Sequence, residues 1–178
     1  TIAAALVQDE EVQLAFEKIV WVSVGQAPSI QELQESVHLQ LTKKLLPDSA
    51  KSGAMVLTAL RDAANGMRVL LVLDDVWDPK HEKPLNCIDL NTASRLLVTT
   101  RIRGLLKNSA EVDVGVLPRA EALSLLLSSA AIHEEAMDRD GDEHRIASEI
   151  VELCGRLPLT LAIAGGIIAD NPGGLTDE

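Results

Sequence analysis

The sequence predicts an α/β fold, a parallel sheet flanked by helices, followed by a small helical domain. Three observations carry that prediction. Two short continuous apolar runs, 68–74 (RVLLVLD) and 95–100 (RLLVTT), have the length and aliphatic content of strands covered on both faces. Stretches with helical periodicity lie between the strand-like runs, the alternation that builds a parallel sheet. Beyond residue 118 the strand-like runs stop and only helical patterning continues. A domain boundary therefore falls near 117–119, dividing the chain into 1–117 and 118–178.

Each element has a local reason. Residues 2–8 are Ala-rich and helical, and Val12, Ala15, Phe16 and Ile19 continue the i, i+3, i+4 pattern. The period then changes: 19–24 (IVWVSV) is β-branched and aromatic, bounded by Gly25 and Pro28, and reads as a buried strand. Ser29 and Glu32 form a capping box that starts a helix whose stripe runs Ile30, Leu33, Val37, Leu41, Leu45 and ends near Pro47. A further helix over 52–64 closes at Asn65-Gly66. After the two central strands, 112–117 is a weaker strand candidate ending at Pro118. Helices then cover about 118–131, 142–154 and 158–169, with an acidic loop at 134–143.

Composition removes several function classes. Sixteen Lys and Arg against 27 Asp and Glu leave a net charge of −11, so no overall attraction draws the chain to nucleic acid or an anionic membrane. Aromatic residues are only 2% of the chain, which removes the stacking platform of single-strand readers. The longest apolar run, 157–169, is shorter than the roughly 20 residues a membrane span requires. Two cysteines, Cys87 and Cys154, lack metal or disulfide spacing and read as buried thiols of a reducing, cytoplasmic compartment. His38 falls on the polar side of its helix, and His81, His133 and His144 have no partner at metal spacing, so all four read as surface histidines. Asp138, Asp140, Asp142 and Glu149 imitate calcium-loop positions, but Glu143 stands where such a loop needs glycine, which leaves a solvated acidic loop.

The chemistry concentrates at two strand ends. Asp74 and Asp75 come directly after four apolar residues, which places two carboxylates at the carboxyl end of a buried strand, the edge where open α/β sheets bind ligands. One carboxylate there can hold Mg²⁺, usually through water, and a second can orient or deprotonate a water. Thr99, Thr100 and Arg101 end the next strand, and hydroxyls with a guanidinium fork suit phosphate oxygens. Taken singly, the acids read as turn or capping residues and Arg101 as a partner of Asp75 or Asp78. The two strand ends together favour a phosphate site.

The series IVWVSVG, RVLLVLDDVWD, SRLLVTTR, VGVLPRAEALSLL and CGRLPLTLA, in this order and spacing, resembles the NB-ARC module of signal-transducing P-loop NTPases from plant resistance proteins and apoptosis activators. The resemblance covers residues 1–169. It implies a P-loop nucleotide fold whose partial nucleotide-binding domain spans 1–117, with a helical ARC1-like subdomain over 118–178. In such a module ADP holds an autoinhibited state, and exchange for ATP permits opening and self-association. A repeat domain downstream in the parent protein is a further implication. Asp74 matches the Walker B acid that positions Mg²⁺, and Asp75 the adjacent acid assigned to hydrolysis. Arg101, after Thr99 and Thr100, matches the sensor arginine for the γ-phosphate, and Pro158 the proline that packs near adenine and ribose.

Departures matter equally. Arg156 stands where a second glycine is common, and Thr160 where alanine is common. No G-x-x-x-x-G-K-[ST] string occurs, although TIAAAL resembles the start of the helix after that lysine, with Thr1 as the second hydroxyl residue of a G-K-T-T string. The expectation is a chain that begins just after the phosphate loop and so binds nucleotide weakly or not at all by itself. The intact protein is expected to be a slow ATPase switch; a fast P-loop ATPase and a non-catalytic scaffold are the rival readings.

Overall fold

The computed structural model describes residues 2–47, 50, 54–133 and 141–171. The chain divides into two compact units, Thr1–Glu111 and Val112–Glu178.

The first unit holds a sheet of three strands, β1 (Lys18–Gly25), β2 (Val69–Val76) and β3 (Arg95–Val98), in the order β1-β2-β3. Both pairings are parallel, with Leu71 opposite Val20 on one side and Leu96 on the other. The central run explains why β2 is central. Residues 69–73 are each at most 4% exposed, so alternate side chains fill both faces, as a covered parallel strand requires. Val69, Leu71 and Leu73 share a core with Val20, Val22 and Val24 of β1, with Val37 and Leu41 of α3 (Ile30–Thr42) and with Val56 and Leu60 of α4 (Ala54–Ala64). The outer edge of β1 carries an unusual cover: the Gln40 side chain accepts from the Trp21 N–H at 2.9 Å and donates to the Trp21 carbonyl at 2.8 Å. One side-chain amide thus takes the place of a neighbouring strand at that residue.

Several expectations are corrected by the structure. The N-terminal helical stretch breaks into α1 (Ile2–Gln8) and α2 (Glu10–Ala15), because Asp9 adopts an extended backbone and caps the second helix through the Glu11 and Val12 amides. Helix α3 stops at Thr42 rather than near Pro47: Lys43 takes a left-handed conformation with its N–H on the Leu39 carbonyl, and Leu45 is 82% exposed. Ser29 does cap α3, accepting from Glu32 N–H at 3.4 Å. His38 is buried, with Nδ1 3.0 Å from the Lys44 carbonyl oxygen, so it closes the end of its helix instead of facing solvent.

The second unit comprises α5 (Arg119–Ser129), α6 (Asp142–Leu153) and α7 (Pro158–Ala169). Ala122, Leu126 and Leu127 of α5, Ala147 and Val151 of α6 and Leu161 of α7 form its core. Gly165 lets α7 approach α5 closely, since a Cβ there would lie 2.7 Å from the Leu126 carbonyl oxygen. The strand candidate at 112–117 does not form: residues 112–116 are exposed, and the Leu117 N–H bonds to the Arg156 carbonyl rather than to a strand. An alternating pattern needs a neighbouring strand to become one. Cys87 is buried as expected, whereas Cys154 is only half-buried at the end of α6. Of the calcium-like positions, Asp138 and Asp140 lie outside the described residues, and Asp142 pairs with Arg145 at 3.2 Å. Among the described residues no helix is long and apolar enough to cross a membrane.

Candidate functional site

The parallel arrangement brings the carboxyl ends of β2 and β3 together, and with them five of the residues singled out in the sequence. The ladder between these strands is regular up to Leu73, whose carbonyl accepts from the Thr99 N–H at 3.0 Å. It resumes where the Val76 N–H bonds the Thr99 carbonyl at 2.9 Å. Asp74 and Asp75 therefore both stand opposite Thr99, a bulge that re-aims side chains at the strand end. Asp75 absorbs the extra residue with φ of 56°, in the left-handed region. Asp tolerates that region better than most non-glycine residues, which makes it a suitable choice for the position.

Thr99 holds the bulge. Its hydroxyl lies 2.6 Å from Asp74 Oδ1, to which it donates, and accepts from the Asp75 N–H at 2.8 Å. Thr100 works similarly one residue on: its hydroxyl donates to the Val76 carbonyl at 2.7 Å and accepts from the Ile102 N–H at 3.1 Å. Arg101 projects from the turn after β3. Its Nε is 3.7 Å from Asp75 Oδ1, and its guanidinium carbon sits 5.5 Å from the centroid of the Trp77 ring. The ring gives the cation a face to rest on.

The site thus has two adjacent carboxylates with one cation against the second. Asp74 is half-buried and tied to a neutral hydroxyl, whereas Asp75 is paired with a guanidinium. Among the described residues no group of three or more His, Cys, Asp or Glu side chains could cage a metal. The donor set fits Mg²⁺ on other terms, because that ion takes one or two carboxylates and completes its shell with water and substrate phosphates.

Pro158 belongs to the second unit, where it occupies the first turn of α7, a position that suits its fixed φ. Just before it, Gly155 and Arg156 adopt φ of 61° and 55°. Left-handed backbone at Arg156 is the physical reason a glycine would suit that position. Thr1 lies outside the described residues. Sequence reasoning did not foresee Trp77 as the platform under Arg101 or the positive φ of Asp75; the only signal was their nearness to Asp74 in the chain.

A parallel sheet with covering helices, acids at the end of its central strand and an arginine at the end of the next defines an α/β domain of the P-loop NTPase type. The NB-ARC domain family matches residues 1–136, and the chain belongs to that family. Over 94% of its length it is 29% identical to Disease resistance RPP13-like protein 4 of Arabidopsis thaliana, covering 20% of that protein. It is 23% identical to the Putative disease resistance protein RGA1 of Solanum bulbocastanum, over 94% of this chain and 18% of that one. A bacterial relative, Regulatory protein AfsR of Streptomyces coelicolor, is 33% identical over 70% of this chain and 12% of its own. The chain spans a fifth or less of the length of the relatives it matches.

Proposed function

We propose that this chain is the nucleotide-binding module of a defence-signalling switch, which in its full-length protein binds ADP or ATP with Mg²⁺. The observation that carries the reading is the meeting of Asp74, Asp75 and Arg101 at the carboxyl edge of a parallel sheet. Asp74 would hold Mg²⁺ through water, and the ion would neutralise phosphate charge. Asp75 would orient an attacking water. Arg101, whose side chain is 76% exposed, would exchange Asp75 for the γ-phosphate of ATP, a charge-assisted contact that a diphosphate cannot offer. Pro158 and the hydroxyl residues Thr1, Thr99 and Thr100 complete the proposed nucleotide set. Self-association in the ATP state, further domains downstream and a cytoplasmic location belong to the same proposal, in keeping with relatives named as disease resistance proteins. The 178 residues contain no G-x-x-x-x-G-K-[ST] string, so by themselves they should bind nucleotide weakly.

The test is nucleotide content and turnover of the purified full-length protein. A switch retains ADP and hydrolyses ATP slowly; a fast P-loop ATPase turns over without retaining product. A scaffold is recognised by Asp74→Ala and Arg101→Ala leaving both nucleotide retention and signalling unaltered.

A further inference from the structure

Thr99 counts among the proposed nucleotide residues, yet its hydroxyl is already committed on both sides. A threonine hydroxyl has one proton to donate. At 2.6 Å from Asp74 Oδ1 that proton is directed at the carboxylate, while the oxygen takes the Asp75 N–H at 2.8 Å. The backbone of Thr99 is committed as well, its N–H to Leu73 and its carbonyl to Val76, so the residue grips β2 on both sides of the bulge. Thr100, by contrast, bonds only to backbone groups.

We infer that Thr99 is a positioning residue: its hydroxyl fixes the rotamer of Asp74 and the left-handed peptide of Asp75, and so acts on Mg²⁺ through these acids rather than by touching phosphate. The inference rests on the nucleotide reading for its ligand, but its geometric half stands independently. A carboxylate held by one oxygen presents the other in a set direction, so a metal-bound water is met without a further loss of rotamer freedom. The bond to the Asp75 N–H also secures a conformation that a non-glycine residue keeps only when its surroundings enforce it. One hydroxyl therefore sets the mutual placement of two acids. Loss of such an outer partner weakens metal affinity by about 10–100-fold in known metal sites.

The experiment compares wild type, Thr99→Val and Thr99→Ser in the full-length protein. Affinity for a fluorescent ADP is measured with Mg²⁺ and with EDTA, and amide hydrogen exchange is monitored in the peptide containing Asp75. Thr99→Val keeps the shape and removes the hydroxyl. It is expected to lower the Mg²⁺-dependent gain in ADP affinity by about tenfold, leave affinity in EDTA unchanged and speed exchange at Asp75, with Thr99→Ser restoring all three. A direct phosphate contact would instead weaken binding equally with and without Mg²⁺, and that result overturns the inference. Unaltered exchange at Asp75 in Thr99→Val overturns it too, whether or not nucleotide binds. If wild type binds no ADP in either condition, the nucleotide reading fails and the exchange data decide the positioning role. Should Thr99→Val fail to fold, Asp74→Asn supplies the second variant. Its side-chain oxygen still accepts from Thr99, so Asp75 protection should persist while the Mg²⁺ gain is lost; loss of that protection contradicts the arrangement.

Discussion

Arg101 Nε lies 3.7 Å from Asp75 Oδ1, an ion pair that joins the turn after β3 to the bulge ending β2. Both side chains are substantially exposed, 76% for the arginine and 42% for the aspartate, so water and salt screen the attraction. A loose, exposed pair suits a cation that must leave its partner when a better anion arrives.

Removing the guanidinium should therefore cost little. Arg101→Ala is expected to lower unfolding free energy by less than about 1 kcal/mol in urea titrations, the usual worth of an exposed pair. Tryptophan emission should change nonetheless, because the cation resting on Trp77 is gone; Trp77→Phe identifies that component against Trp21. A loss of several kcal/mol would mean that Arg101 supports the fold rather than the site.

The Gln40 cover on β1 makes a second case. Gln40→Met keeps the chain length but leaves the Trp21 N–H and carbonyl without their partner. Unsatisfied backbone groups should cost roughly 1–3 kcal/mol, and the uncovered edge should raise aggregation during refolding, read by light scattering.

Helix α7 offers two adjacent glycines with opposite outcomes. An added Cβ at Gly165 would crowd Ser129 and come within 2.7 Å of the Leu126 carbonyl, whereas at Gly166 nothing lies within 4 Å. Gly165→Ala should destabilise the second unit by roughly 1–3 kcal/mol through overpacking. Gly166→Ala should stabilise it by about 0.5–1 kcal/mol, because alanine loses less freedom in a helix. Helix melting by circular dichroism separates the two.

Burial pushes the Cys87 thiol from its ordinary value of 9.0 up to about 11, although Arg61 and a backbone hydrogen bond pull the other way. The unfolded chain therefore ionises first. Below pH 9 the thiol is protonated in both states and contributes no pH dependence; between about 9 and 11 the unfolded form alone gains a favourable charge, and stability falls. Cys87→Ala should flatten that alkaline decline. At neutral pH a thiol reagent should label Cys154 well before Cys87.

Much of this was legible from sequence because the strongest signals are local. The apolar run of β2 and the acids at its end specify their own burial, and the runs of β1 and β3 place it in a parallel sheet. What escaped depends on neighbours. His38 falls on the polar side of a helical wheel, yet the turn after Thr42 brings the Lys44 carbonyl back to its ring. Residues 112–117 have a strand's alternation, but alternation does not supply a partner. At the site, residue types announced carboxylates, hydroxyls and a cation. That Thr99 ties both acids together emerged only from the bulge, which no spacing rule encodes.

The central claim is tested most directly by the nucleotide that the full-length protein carries through purification, released by heat and resolved by chromatography, in wild type and Asp74→Ala. A nucleotide switch built on Asp74 predicts stoichiometric ADP in wild type and its loss in the variant, with the variant still folded by circular dichroism. Wild type that carries no nucleotide and binds none when MgADP is added would contradict it.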